Sequence, residues 1–129
     1  PLMSSTTLDI KRTVKDTVRI PFVQMADAAL PKDYQLSLVI CGDRLAQRMN
    51  AEYRKKTYRP NVLSFPLSKT EGEIFLNIRK AAREARLMRI STKERIAHLF
   101  VHGCFHLAGH DHSDTMDALE IKVLKKFGF

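Results

Sequence analysis

The run His102-Gly103-Cys104-Phe105-His106-Leu107-Ala108-Gly109-His110-Asp111-His112 constrains this chain more than any other segment. Its spacing is H-x3-H-x5-H, with a glycine three residues after the second histidine. Residues four apart share one face of an α-helix, so a helical segment presents His102 and His106 side by side. Gly109 is the residue type that ends a helix in a left-handed turn. Such a turn doubles the chain back and carries His112 toward the other two imidazoles. Three neutral imidazoles at one point, with a fourth corner free, describe a catalytic zinc site rather than a closed structural one. The segment therefore predicts a metal centre on a helix–turn. Its ligands are His102, His106 and His112, holding one zinc ion per chain, with other divalent metals as alternatives.

All five histidines lie between residues 98 and 112. His98 falls one turn before His102 and about 40° round the helix, placed to hydrogen-bond near the site rather than to ligate. His110, two residues before a ligand, points elsewhere. A metal-bound imidazole donates its other ring N–H to a carboxylate or carbonyl, and Asp111 or Glu120 can accept it. Cys104 stands roughly 200° from His102 and faces the core. Gly103 disfavours one reaction class. Zinc proteases of the H-E-x-x-H type carry glutamate there as general base, which glycine cannot replace.

With 129 residues the chain predicts one domain, 1–129, large enough to bury a core without staples. Apolar residues are 44% and charged residues 28%, as in a soluble globule. No apolar run of membrane length or leader pattern is present, and Pro1-Leu2 before Met3 carry no structural signal. Two cysteines, Cys41 and Cys104, make no disulfide framework and predict a reducing cytoplasmic location. The net charge of +8 implies a polyanionic partner. Basic residues gather at Lys11 to Arg19, Arg54 to Arg59 and Arg79 to Arg95. Asp111, Asp114, Asp117 and Glu120 make the histidine region locally acidic. A basic body around an acidic metal pocket suits a nuclease better than a protease.

Residues 8–14 alternate as a first strand, and 18–30 fit a helix with Pro21 in its first turn. Residues 35–40 read as a buried strand, followed by a helix through Leu45, Met49 and Tyr53 with Asp43 as N-cap. Residues 61–66 predict an edge strand stopped by Pro66, and 72–77 another strand. A helix then carries Arg79, Arg83 and Arg86 along one stripe. Ser91-x-x-Glu94 is a capping box that starts the histidine helix, and a last helix spans about 114–127. The order predicts a small α+β domain, about four strands in a mixed sheet packed with about five helices.

These residues together resemble the YbeY family of metal-dependent endoribonucleases. The resemblance rests on H-G-x-x-H-L-x-G-H-D-H at 102–112, on Asn50-x-x-Tyr53-Arg54, and on Asn61-Val62-Leu63-Ser64-Phe65-Pro66. Gly72-Glu73-Ile74 stands where the family has G-D-I. The chain departs at His110, where the family has tyrosine, and at Lys55-Lys56-Thr57-Tyr58-Arg59-Pro60, where it favours an acidic residue followed by Pro-Thr. The resemblance implies a zinc-type metal on His102, His106 and His112 and single-stranded RNA as substrate. It further implies action on the 3′ end of small-subunit (16S) ribosomal RNA, ribosome quality control, and a catalytic role for Arg54. Ser64 and Phe65 are candidates to line the cleft, Phe65 being better suited to the core. Asp111 and His110 are candidates for general base by position alone. The rival reading is a non-catalytic RNA-binding ribosome-assembly factor whose metal is structural. Oligomeric state leaves no signature in the sequence.

Overall fold

Alternation along two central strands sets the architecture. In the computed structural model, which describes residues 6–129, the elements are β1 (Thr7–Arg12), α1 (Phe22–Ala29), β2 (Gln35–Cys41), α2 (Asp43–Arg54), β3 (Val62–Ser68), β4 (Glu71–Asn77), α3 (Ile78–Met88), α4 (Thr92–Leu107) and α5 (Asp114–Lys126). Pro1, Leu2 and Met3 lie outside the described residues. Leu36, Leu38 and Ile40 of β2 join Ile74 and Leu76 of β4 in a large core shared with α1, α3, α4 and α5. Val39, Cys41 and Phe75, one residue out of step, enter a smaller core beneath Ala46 of α2. The period of two thus gives the sheet one thick and one thin helical layer.

The sheet order is β1-β2-β4-β3. β1, β2 and β4 run parallel, and β3 is antiparallel to β4 at the edge. This is the mixed four-stranded α+β architecture the pattern predicts, with five helices among the described residues. α4 is apolar nearly all round, with Ile96, Phe100, Val101 and Cys104 fully buried, as a central helix must be. Among the described residues no helix is long and apolar enough to cross a membrane.

Three local expectations are corrected. The first helix begins at Phe22 rather than Val18, with Pro21 as its N-cap at ψ 69°, because the residue before a proline is pushed out of helical conformation. Asp43 is the first residue of α2, not its cap; Gly42 takes that position, and the Asp43 carboxylate accepts from Arg83 and Asn77 instead. Pro66 does not stop its strand. β3 continues to Ser68 through a register shift, which an edge strand tolerates because its outer N–H groups need no partner.

Candidate metal centre and its cleft

The period of α4 places His98, His102 and His106 on the one half-exposed stripe of a buried helix. Ser91 fixes the phase of that stripe, its hydroxyl accepting from the Glu94 N–H at 3.0 Å. At the other end Gly109 adopts a φ of 97°. The Gly109 N–H donates to the His106 carbonyl and the His110 N–H to the Phe105 carbonyl, both at 3.0 Å. This pair of bonds reverses the chain in a Schellman turn. The turn returns His112 to the helix face. Ring centroids then stand 4.5 Å apart for His102 and His106, 4.8 Å for His102 and His112, and 4.7 Å for His106 and His112.

Hydrogen bonds assign the tautomers. His102 Nδ1–H donates to Glu120 Oε2 at 2.7 Å, and His106 Nδ1–H donates to the His110 carbonyl at 3.1 Å. Both Nε2 atoms are left with lone pairs, and they face each other at 3.0 Å. Two lone pairs at that separation repel unless a cation lies between them. One donor atom each from His102, His106 and His112 lies within 4.8 Å of the others, so the group could hold a metal ion. The donor set fits: imidazoles oriented through their second nitrogens are what borderline divalent metals take. Burial first, then the neighbouring His102 and His112 rings, holds His106 below the ordinary imidazole value. That keeps it in the neutral form a metal requires.

Glu120 is 4% exposed and joins two rings, since His98 Nε2–H donates to its Oε1 at 3.1 Å. Arg95 Nη1 donates to His98 Nδ1 at 3.3 Å, which fixes the His98 tautomer. Of the two carboxylates the sequence nominated, Glu120 supports the site, while Asp111 is exposed and makes no side-chain hydrogen bond among the described residues. His110 contributes its carbonyl; its ring packs edge-on against Phe105 at 5.5 Å. Neither Asp111 nor His110 lines the cleft, whose acidic side chains are Asp117 and Glu120.

Gly103 is glycine for packing as well as chemistry. A Cβ there would sit 2.9 Å from Ser64 Oγ and 3.2 Å from Ile74 Cδ1. The Ser64 hydroxyl donates to the Gly103 carbonyl at 3.1 Å and ties β3 against α4. A side chain after His102 would crowd the Ser64 hydroxyl and disturb its bond to the Gly103 carbonyl.

The histidines open into a cleft of about 740 Å³ that also receives Arg54, Lys56, Tyr58, Ser64 and Arg95. Arg54 reaches it from the end of α2, its guanidinium donating to the Ser64 carbonyl and lying 5.0 Å from the Phe65 ring centroid. Ser64 lines the cleft, whereas Phe65 turns to the thin layer, edge-on to Phe75 at 5.9 Å. The stripe of Arg79, Arg83 and Arg86 is not part of the cleft. Arg83 is bound to Asp43 at 2.7 Å and 2.9 Å. Sequence reasoning missed Arg95 and Asp117. The signals existed: Arg95 begins the 3-4-4 stripe that runs through the histidines, and Asp117 precedes Glu120 by one turn. Both cysteines are free and buried. Burial, then Asp43, pushes Cys41 up to about 12, and burial raises Cys104, so neither thiol ionises near neutral pH.

The family model described as Endoribonuclease YbeY matches residues 3–128. Among curated proteins, Endoribonuclease YbeY of Ehrlichia canis is 35% identical over 103 residues, covering 72% of this chain and 67% of its own. The Gluconobacter oxydans protein of that name is 39% identical over 100 residues, covering 72% and 60%. That of Laribacter hongkongensis is 37% identical over 125 residues, covering 84% and 75%. The chain thus spans about two thirds of the length of the curated relatives it matches. The solution structure of a Thermotoga maritima protein shares the fold, with a TM-score of 0.67 at 17% identity, over 95% of this chain and 88% of that one.

Proposed function

This chain belongs to the endoribonuclease YbeY family, and from that premise we propose that it cleaves single-stranded RNA at a zinc ion held by His102, His106 and His112. The observation that carries the reading is the facing pair of Nε2 atoms at 3.0 Å, each imidazole tied through its other nitrogen. When bound, a divalent ion there supplies a Lewis acid for a phosphoryl oxygen and an acidified water.

The protein's own groups do the rest. Glu120 and the His110 carbonyl hold two rings in the required tautomer and orientation. Arg54 keeps its guanidinium in place through the Ser64 carbonyl and the Phe65 face. Its remaining N–H groups then bind a phosphodiester oxygen and stabilise charge that develops there, which makes Arg54 the catalytic arginine. Lys56 adds positive potential at the mouth. Asp117 is the exposed cleft carboxylate and the candidate for proton transfer. Gly103 leaves no base beside the first ligand, which argues against peptide hydrolysis.

The biological substrate we infer is the 3′ end of small-subunit ribosomal RNA, in maturation and ribosome quality control, with the small ribosomal subunit as partner. Two free thiols fit a reducing cytoplasm. The test is cleavage of unstructured RNA by the zinc-loaded chain beside His106→Ala. Loss of cleavage in the variant with RNA binding retained supports the enzyme. Equal cleavage by both removes it and leaves an RNA-binding assembly factor.

A further inference from the structure

A second groove adjoins the histidine cleft across the loop after α2. It measures about 410 Å³ and is lined by Asp43, Arg44, Gln47, Arg48 and Ala51 of α2 and by Arg59. Tyr58, the residue before Arg59, lines the histidine cleft instead. At roughly 100° per residue, Arg44 and Arg48 stand about 120° round α2 from Asn50 and Arg54, which face the cleft. The two depressions share one helix and one loop.

Charge in the groove is one-sided. Arg44, Arg48 and Arg59 are exposed, and its one lining carboxylate, Asp43, is engaged by Arg83 at 2.7 Å. Neither Arg44 nor Arg48 forms an ion pair among the described residues. A concave surface lined by three guanidiniums, its one lining carboxylate already engaged by Arg83, attracts a polyanion. Arginine also matches phosphate with two parallel N–H groups, and its plane stacks on bases.

The loop between the sites is pinned. Asn50 Nδ2 donates to the Tyr58 carbonyl at 3.0 Å, and Gln47 Nε2 to the Thr57 carbonyl at 3.0 Å. Lys80 Nζ donates to the Arg59 carbonyl. Tyr58 is nevertheless 57% exposed, with Lys80 Nζ 5.8 Å from its ring centroid. An exposed aromatic ring between the histidine cleft and an arginine-lined groove is a platform for a nucleobase.

We propose that RNA leaving the histidine cleft stacks a base on Tyr58 and lays its next phosphates along Arg59, Arg48 and Arg44. This rests on the endoribonuclease reading above. Continuity with the cleft and the intervening ring favour a nucleic acid strand over an acidic protein surface.

The test is steady-state cleavage by the zinc-loaded chain of unstructured RNAs of about 5 and about 20 nucleotides, the shorter filling the cleft alone. Arg44→Ala/Arg48→Ala should raise KM for the long RNA toward that of the short one and leave kcat unaltered. It should also flatten the salt slope for the long RNA by about 1.4, two phosphates at about 0.7 each. Tyr58→Ala should raise the long-RNA KM at least about 5-fold, and Tyr58→Phe should restore it. Lys32→Ala/Lys69→Ala removes the same charge elsewhere and should preserve the KM ratio. If the wild type cleaves both RNAs and the Arg44→Ala/Arg48→Ala variant keeps its ratio, or raises both KM values equally, the proposal is overturned. If folded wild type cleaves neither RNA, the endoribonuclease reading itself fails and the proposal falls with it.

Discussion

Replacing Glu120 by glutamine separates metal binding from folding. The carboxylate is 4% exposed and accepts from His102 at 2.7 Å and from His98 at 3.1 Å. Glutamine keeps the shape and one acceptor, which can stay on His102 Nδ1–H. Its NH2 then meets the His98 Nε2–H, so that bond is lost. His98 is 40% exposed and can turn to water, which limits the folding cost to about 1 kcal/mol, one ordinary hydrogen bond. The metal feels a larger change. Without the anion behind it, His102 is a poorer donor, and loss of such a partner weakens metal binding about 10- to 100-fold, or roughly 1.4–2.7 kcal/mol. Zinc affinity measured by competition with a chromophoric chelator, alongside urea unfolding of the metal-free protein, reads both quantities. Wild-type zinc affinity in a folded Glu120→Gln protein would refute the reasoning.

Gly103→Ala should destabilise the fold: crowding against Ser64 and Ile74 costs about 1–3 kcal/mol, against about 1 kcal/mol gained in helix propensity. Adding Ser64→Gly should recover part of the loss, and net stabilisation by Gly103→Ala alone would contradict the packing account. Arg54→Lys keeps the charge but loses the planar guanidinium that donates to the Ser64 carbonyl while offering further N–H groups to phosphate, so kcat/KM should fall at least about tenfold with stability nearly unchanged; unchanged kinetics would remove Arg54 from the chemistry. The hydrogen bond from Arg83 foremost, against an opposing push from burial, holds Asp43 down at about 2, below its ordinary carboxylate value of 3.8. A depressed folded value means stability that is complete above about 3.8 and lost as pH falls through about 2. The stability gap between wild type and Asp43→Asn should therefore close across that window in urea titrations, and a gap constant with pH would show the pair contributes nothing.

The histidine cluster was legible because its geometry is local. Spacing of four, a capping serine at Ser91 and a helix-ending Gly109 bring three histidines together without any long-range contact. The layering was also legible, since Leu36, Leu38 and Ile40 alternate against Val39 and Cys41. What escaped depends on distant partners. Asp43 reads as a helix cap until Arg83, 40 residues away, claims its carboxylate. Pro66 reads as a stop until β3 is known to be the edge of the order β1-β2-β4-β3. The packing role of Gly103 could not be seen because Ser64 meets it only after β3 lies across α4.

The most direct measurement is metal stoichiometry by equilibrium dialysis and elemental mass spectrometry, on wild type and on the His102→Ala/His106→Ala/His112→Ala variant. Three imidazoles converging on one ion predict one zinc per wild-type chain and none retained by the triple variant while it stays folded. Equal zinc content in the two proteins would place the metal elsewhere and contradict the account.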